Sequence, residues 1–183
     1  MPASKVNIKK ELKTSESILF IVSNIEYNDT ILSVMKQLTN DHKICYITTN
    51  KTYDSLKEAL TKKKVKMNNI TFVDAITKTL KKTPDKKENA YFITSPAALT
   101  ELSLTITKLL KEKFDYFIFD SITNLLIYQS KEPVTRFISS IINRVKESNT
   151  KAVFYAINVK EQEEVIKEVS MFVDNVIQTK SKK

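Results

Sequence analysis

Residues 114–128 read FDYFIFDSITNLLIY, and this stretch decides the fold. Residues 116–119 are apolar without polar alternation, which is typical of a strand buried on both faces of a parallel sheet. The strand ends at Asp120-Ser121, and the apolar residues that follow recur at the three- and four-residue spacing of a helix. Because open α/β sheets bind ligands at the carboxyl ends of their strands, Asp120 is a candidate functional residue.

Two interpretations of Asp120 follow from its position. The functional one is a carboxylate that holds Mg²⁺, or a water of the ion's hydration shell, beside a nucleotide. The structural one is a helix cap, since Asp and Ser are both good N-cap residues. This stretch alone leaves both interpretations open.

Apolar runs of the same kind recur on both sides of this stretch. They predict further strands at residues 17–23, 43–48, 70–74, 90–94, 151–157 and 173–179. Helical patterns alternate with them, at residues 29–40, 53–63, 95–110, 122–128, 134–147 and 161–171. This alternation predicts βαβ crossovers and a mostly parallel sheet with helices on both faces, which is a single three-layer α/β domain.

The predicted domain covers residues 17–179, between a polar basic arm at residues 1–16 and a basic tail at residues 180–183. Helix caps are predicted at Asn28 or Asp29 and at Ser95, which Pro96 follows at the first helical position. Residues 129–133 read as a break between two helices. Residues 75–89 have the weakest pattern, with a short helix at 76–80 and a mobile loop at 81–88.

The composition limits the class of protein. Of 183 residues, 42% are hydrophobic and 28% charged, which are values of a folded globular domain. The apolar runs are much shorter than a membrane span and no secretion signal is visible, so a cytoplasmic protein without a membrane partner is expected. Cys45 is the one cysteine and His42 the one histidine, which excludes an internal disulfide and a Cys/His metal site.

The formal net charge is +9, and the lysines concentrate at residues 57–66, at residues 78–87 and in the last four residues. Such basic clusters are one feature of nucleic-acid-binding proteins, whose affinity falls steeply with salt. Neither internal cluster contains aromatic side chains for base stacking, and the arginines are Arg136 and Arg144 alone. Solvated helix ends are the other interpretation of these lysines.

The order of the segments resembles the RecA-like ATPases, in particular their archaeal KaiC-like branch. Residues 114–128 are similar to the Walker B strand of that branch, and residues 43–60 to its second strand and helix. Residues 71–77 (TFVDAIT) and 95–106 (SPAALTELSLTI) are similar to its middle section, and MFVDNVIQT at residues 171–179 to its last strand. A flavodoxin- or receiver-like fold is the alternative, but it normally has acids after the first strand, where Ser23-Asn24 stand here.

The same resemblance shows what is missing. The family's first strand leads into a P-loop, Gly-x-x-x-x-Gly-Lys-Thr, and residues 23–30 here read SNIEYNDT. Asn28 is aligned with the lysine and Asp29 with the Mg²⁺-binding Ser/Thr, and the chain contains no glycine at all. The family's catalytic base follows strand two, where Thr49-Asn50 stand here, and neither side chain is a base at neutral pH.

These losses imply a degenerate RecA- or KaiC-like protein that does not hydrolyse ATP and acts as a regulatory or protein-interaction module. The expected partner is another protein or a second copy of this chain. Relatives use loops near residues 128–136 at subunit interfaces, which makes Arg136 the candidate interface residue.

Two alternatives remain. The first is residual ATP binding in a relic pocket formed by Asn28, Asp29, Thr30, Asp120 and Ser121, with Mg²⁺ on Asp120 when nucleotide binds. The second is a basic nucleic-acid-binding RecA relative that uses the lysine clusters.

Overall fold

The structure, a computed structural model, describes residues 6–179, which form an eight-stranded sheet between two layers of helices. The strands are β1 Ser17–Val22, β2 Ile44–Thr48, β3 Ile70–Asp74, β4 Lys86–Lys87, β5 Ala90–Phe92, β6 Tyr116–Asp120, β7 Lys151–Ile157 and β8 Asn175–Gln178. Their spatial order is β4-β5-β3-β2-β6-β7-β1-β8, and every neighbouring pair is parallel except β4 and β5. The predicted three-layer α/β domain is confirmed.

Eight α-helices flank these strands within the described residues, and a 3-10 helix at Lys160–Gln162 precedes the last of them. The α-helices are α1 Ile8–Thr14, α2 Tyr27–Leu38, α3 Tyr53–Lys62, α4 Thr77–Leu80, α5 Leu99–Leu110, α6 Ile122–Tyr128, α7 Lys131–Glu147 and α8 Glu163–Ser170. Buried residues of α1, α2 and α3 pack on one face of the sheet, and those of α5 to α8 pack on the other. Within residues 6–179, no helix combines the length and apolarity that a membrane crossing needs.

The central strands have no polar alternation because both of their faces are covered. In β6, Phe117 and Phe119 face the layer of α5 to α8, whereas Ile118 faces the layer of α1 to α3. All three side chains are fully buried. Burial on both sides is the usual state of a parallel strand between two helical layers, and it explains the apolar run from which the fold was predicted.

The N-terminal segment corrects the prediction of a basic arm. Residues 8–14 form α1, whose Ile8 and Leu12 are buried against the layer that contains α2. The Gln37 side chain of α2 fixes the start of α1, because it accepts a hydrogen bond from the Ile8 N–H at 2.9 Å and donates one to the Val6 carbonyl. In the sequence, two apolar residues four positions apart form too short a pattern to predict a helix among the surrounding lysines. Residues 1–5 and the predicted tail at 180–183 lie outside the described residues.

The predicted loop at 81–88 also contains structure, since Lys86–Lys87 form β4 and pair with β5 in a tight hairpin. The hairpin turns at Glu88, whose φ is 54°. The Lys86 ammonium lies 4.8 Å from the centre of the Tyr91 ring, a cation–π contact across the hairpin. A pair of exposed lysines carries no strand signal, so the hairpin could not be read from apolar periodicity.

Several helices begin elsewhere than predicted, and three of the differences have a clear cause. Helix α2 begins at Tyr27 after Glu26, so neither Asn28 nor Asp29 is its cap. Helix α5 begins at Leu99, because a turn closed by the hydrogen bond from the Ala98 N–H to the Ser95 carbonyl comes first. Helix α7 begins at Lys131, ahead of Pro133, since a proline without an N–H is tolerated in the first turn of a helix.

The topology places a switch point at the carboxyl edge of the sheet. Strand β2 continues into α3 on one face, and its neighbour β6 continues into α6 on the other. The chain direction across the sheet changes between these two strands, and such switch points are where open α/β sheets bind ligands. Thr49 and Asp120 stand on either side of this point.

Candidate functional site

Asp120, the last residue of β6, lies at this switch point under the first turn of α2. One of its carboxylate oxygens accepts a hydrogen bond from the Tyr27 hydroxyl of α2. The other accepts one from the Tyr46 hydroxyl of β2 at 2.6 Å. Asp120 and Tyr46 are fully buried and Tyr27 is 3% exposed, so the carboxylate is enclosed and both of its oxygens are engaged.

This geometry corrects the interpretation of Asp120 as a helix cap. The cap position of α6 is Ser121, whose side chain makes no capping bond to the helix and instead lies 3.0 Å from the Thr123 hydroxyl. Asp120 therefore has a structural role of a different kind, as the shared acceptor of two tyrosine hydroxyls that join α2 and β2 to β6.

The electrostatics of this cluster are set by burial. Loss of solvent raises the pKa of Asp120, and the hydrogen bonds from Tyr27 and Tyr46 offset only part of that rise. Burial, and then the nearby Asp120 charge, raise the pKa of Tyr27 and of Tyr46 well above the ordinary value for tyrosine. Both hydroxyls therefore remain protonated donors at neutral pH.

A third buried tyrosine, Tyr155 of β7, completes the cluster without joining its hydrogen bonds. Its ring stacks on Phe20 with 5.8 Å between centroids and meets the Tyr27 ring edge-on at 6.1 Å. Its hydroxyl is buried and has no hydrogen-bond partner among the described residues. Burial raises the pKa of Tyr155 well above the ordinary value for tyrosine, and the negative charge of Asp120 adds to this rise.

The raised pKa of Asp120 predicts a specific pH dependence of stability. Between its ordinary value near 3.8 and its higher folded value, the folded protein binds more of this proton than the unfolded chain does. The stability that Asp120 contributes is therefore greatest below the ordinary value and decreases as pH rises through the folded pKa. We expect the unfolding free energy of the wild type, relative to Asp120→Asn, to increase as the pH is lowered from neutral into this window. Urea unfolding of both proteins at several pH values measures the difference, and a pH-independent difference would contradict the assignment.

The stretch aligned with the P-loop is a short turn in this structure. Only residues 23–26 separate β1 from α2, and none of these four has a positive φ angle. A P-loop instead turns several backbone N–H groups towards the phosphates, which requires glycine conformations. The Ser23 carbonyl accepts a hydrogen bond from the Glu26 N–H, so the turn closes on itself.

The predicted phosphate-binding residues have other contacts. Asn28 and Asp29 are exposed, and the Asp29 carboxylate lies 3.9 Å from the Lys63 ammonium. Thr30 is buried and its hydroxyl donates to the Glu26 carbonyl at 2.7 Å. A strict count of the eight-residue pattern from Ser23 aligns Asp29 and Thr30, rather than Asn28 and Asp29, with the lysine and the Ser/Thr. In either alignment, no lysine stands at the position of the P-loop lysine.

Sequence reasoning missed one cation at this place. The Lys51 ammonium, from the corner between β2 and α3, lies 2.5 Å from the Asn28 side-chain oxygen at the start of α2. Its charge also acts to lower the pKa of Asp120. Lys51 lies in the corner between β2 and α3, and Asn28 lies 23 residues earlier in the first turn of α2. Only the fold brings them together, so no local motif signals the contact.

The corner Thr49-Asn50 stands where the resembled family carries its catalytic base, and here Thr49 joins β2 to the end of β6. The Thr49 hydroxyl accepts from the Ser121 N–H at 2.9 Å and lies 2.9 Å from the Ser121 carbonyl. The Thr49 carbonyl accepts from the Asn124 side chain at 3.2 Å. Thr49 is buried, so its polar groups fix the β6–α6 turn and are not presented to a ligand.

Arg136 lies on α7 and not in a loop, because that helix begins five residues before it. It is 75% exposed and forms an ion pair with Glu132 one turn earlier. The other arginine, Arg144, joins α7 to α5 through hydrogen bonds to Ser103 and Thr107.

Many lysines of the two basic clusters have acidic partners. Five of them form ion pairs within the described residues: Lys57 with Glu88, Lys62 with Glu58, Lys63 with Asp29, Lys78 with Asp85, and Lys81 with Asp54. These pairs reduce the charge available to a polyanion. Across residues 6–179, no three His, Cys, Asp or Glu side chains are grouped so that they could hold a metal ion.

Comparison with known proteins agrees with the fold. The structure is similar to the KaiC-like protein PH0186 of the hyperthermophilic archaeon Pyrococcus horikoshii OT3, with a TM-score of 0.63 and 10% identity over 89% of this chain and 70% of that one. It is also similar to the uncharacterized protein PH0321 of Pyrococcus horikoshii, solved in complex with an unknown peptide, with a TM-score of 0.71 and 13% identity over 94% and 83% of the two chains. These likenesses confirm the predicted RecA/KaiC-like fold.

At the level of sequence, a search of curated proteins gave no match. A family model does match, over residues 31–179, and it describes a family of unknown function, DUF7504. Since the match covers most of the chain, this protein is a member of the DUF7504 family.

Proposed function

We propose that this protein is a degenerate RecA/KaiC-like protein that does not hydrolyse ATP and acts through contacts with other proteins. The observation that carries the proposal is the enclosure of Asp120. A Walker-B acid needs an open side towards Mg²⁺ or its water. Here the hydroxyls of Tyr27 and Tyr46 each donate a hydrogen bond to one of the two carboxylate oxygens. Tyr27 is the first residue of α2, so its side chain covers the acid on the side of that helix.

The surface supports a role in protein contacts. Several large apolar side chains are exposed in the β1–α2 turn, on helices α4, α5 and α6, and in or just before β8: Ile25, Leu80, Leu104, Ile127, Tyr128, Met171, Phe172 and Val176. Ile127 and Tyr128 end α6, and the candidate interface residue Arg136 lies on the next helix, α7. The structural neighbour PH0321 was solved with an unknown peptide, which favours a binding role in the same fold.

A second candidate function, residual nucleotide binding, is favoured by Lys51. Its ammonium lies at the amino end of the twelve-residue helix α2, where backbone N–H groups and the helix dipole attract anions. The Asp29 and Glu26 carboxylates stand at the same helix end and oppose a phosphate there. Lys51 is thus the side chain on which this alternative depends.

Thermal unfolding with and without millimolar Mg-ATP tests both candidates. A ligand at one hundred times its Kd adds about 2.7 kcal/mol of stability, which is several degrees in Tm for a domain of this size. We expect no shift and no ATP hydrolysis in the wild type, because Asp120 is not accessible. A saturable shift that is lost in Lys51→Ala and in Asp120→Asn would establish nucleotide binding, and ATP hydrolysis that is lost in the same variants would overturn the proposal.

The matched control is Lys36→Ala, which removes an exposed lysine from the last turn of the same helix α2. It leaves the amino end of α2 unchanged. If it lowers an ATP-dependent shift as much as Lys51→Ala does, the shift reflects the overall positive charge and not a phosphate site.

A further inference from the structure

One cavity lies at the amino edge of the sheet, opposite to the edge at which Asp120 stands. Tyr116 and Lys151, the first residues of the parallel strands β6 and β7, line it, and so does His42 just before β2. Helix α1 forms a further wall. This amino-edge cavity has a volume of about 410 Å³, which is in the range of small-molecule sites.

The charges that line the amino-edge cavity are mostly positive. Lys9 and Lys13 lie one turn apart on α1, so their side chains share a face of that helix. The third cation is Lys151, whose ammonium donates a hydrogen bond to the Leu12 carbonyl and so joins the end of α1 to β7. Asp115 is the one carboxylate in the lining, so three ammonium groups against one carboxylate leave an excess of two positive charges.

The two lysines of α1 at this cavity differ from the paired lysines of the basic clusters. Neither Lys9 nor Lys13 forms an ion pair with a carboxylate in the described part of the chain. The Asp115 carboxylate is engaged elsewhere, because it accepts a hydrogen bond from the Lys43 N–H at 2.7 Å and lies 3.6 Å from His42 Nδ1. Like charges at helical spacing repel each other, so an anion bound beside both lysines would remove an unfavourable interaction.

Apolar and aromatic side chains form another part of the wall. Leu12 and Phe114 are buried and line the cavity together with the half-buried ring of Tyr116. The His42 ring meets the Tyr116 ring edge-on, with 5.1 Å between centroids. The aliphatic stems of the lysines add further apolar surface beneath their charged ends. An inorganic ion would use only the ammonium groups, whereas an organic anion contacts both kinds of wall.

We propose that the amino-edge cavity binds a small organic anion with an aromatic or other apolar body. Its acidic group contacts the ammonium groups of Lys9 and Lys13, and its body packs against Tyr116. A phosphate monoester carries about two negative charges at neutral pH, which matches the excess of cations in the lining. The inference goes beyond the proposed function and does not depend on it, because none of the lining residues belongs to the cluster around Asp120.

Titration of the isotope-labelled full chain with phenyl phosphate at low salt, followed by two-dimensional amide NMR, tests the inference. We expect saturable shifts of the backbone amides at residues 9–13, 42–43, 114–116 and 149–151. Inorganic phosphate has the charge without the ring, and phenol has the ring without the charge. Each is expected to bind more weakly by a factor of about ten or more, because each makes one of the two kinds of contact.

Combining Lys9→Ala with Lys13→Ala is expected to raise the Kd for phenyl phosphate by a factor of about ten or more, because it removes two of the three ammonium groups from the wall. The matched control combines Lys10→Ala with Lys36→Ala, which removes the same charge from two exposed lysines outside the cavity lining. This control should leave the Kd nearly unchanged. The same spectra show whether each variant is folded.

The absence of saturable shifts at millimolar phenyl phosphate overturns the inference, and so do shifts that map to Lys51 and the start of α2. An equal loss of affinity in both double variants also overturns it, because the binding then reflects overall charge. Inorganic phosphate that binds as tightly as phenyl phosphate does the same, because the apolar wall then contributes nothing. None of these results bears on the enclosure of Asp120, which the Mg-ATP experiment tests separately.

Discussion

Replacing both Tyr27 and Tyr46 with phenylalanine is expected to lower the free energy of unfolding by about 3–6 kcal/mol. Each substitution removes one hydrogen bond to a carboxylate that has no solvent contact. A hydrogen bond to a charged group contributes about 1.5–3 kcal/mol, and a buried charge left without partners costs more than a neutral group does. Urea unfolding of the wild type, the two single variants and the double variant measures the loss.

Tyr155→Phe is the matched control for this experiment. It removes the same atom from a tyrosine that is buried in the same cluster, but its hydroxyl has no partner among the described residues. We expect a change within about 1 kcal/mol, because an unsatisfied buried hydroxyl contributes no hydrogen bond to lose. If Tyr155→Phe destabilises as much as Tyr46→Phe, the cost reflects packing of the rings and not the hydrogen bonds to Asp120.

Leu12→Ala is expected to lower the free energy of unfolding by about 2–5 kcal/mol, which is the usual cost of truncating a fully packed leucine. Leu12 is 1% exposed and packs in the core beneath α1, although it lies in a segment whose sequence suggests a solvated arm. Thermal or urea unfolding measures the effect. The expected loss of unfolding free energy follows from the burial of the Leu12 side chain and not from its position in the sequence.

Lys13→Ala, on the exposed face of the same helix, provides the comparison. Its effect should lie within about 0.5 kcal/mol, since surface substitutions away from specific contacts change stability little. Equal, small effects of both variants would mean that α1 is docked loosely and that the description of residues 1–16 as an arm was correct.

The architecture was predictable because its signal is carried by the buried strands. The boundaries of β3, β6 and β7 agree with the apolar runs at residues 70–74, 116–120 and 151–157. Helix α1 and strand β4 were missed for one physical reason: each has too few apolar residues to show a period. Helix α1 is stabilised by two buried side chains, and β4 by its pairing with β5.

The candidate site was predictable only in part. The sequence indicated an acid at the carboxyl end of a central strand, and the structure places Asp120 there. That the acid is fully buried was not predicted. Tyr27 and Tyr46 gave no signal, because aromatic residues in apolar patterns read as core. They lie 93 and 74 residues from Asp120 in the sequence, so only the folded sheet and α2 bring the three together.

The Tyr27–Asp120–Tyr46 trio has a consequence for how such sequences change over evolutionary time. Two hydroxyls hold this acid in an interior without solvent contact. A substitution of the acid leaves both tyrosine hydroxyls without a hydrogen-bond partner, and a substitution of either tyrosine leaves one carboxylate oxygen without one. Each single substitution is therefore unfavourable, and each of the three residues depends on the other two being kept. An aspartate at the end of this strand is then retained for its hydrogen bonds to the tyrosines. In a related sequence, this aspartate indicates catalysis only where the two tyrosines are absent.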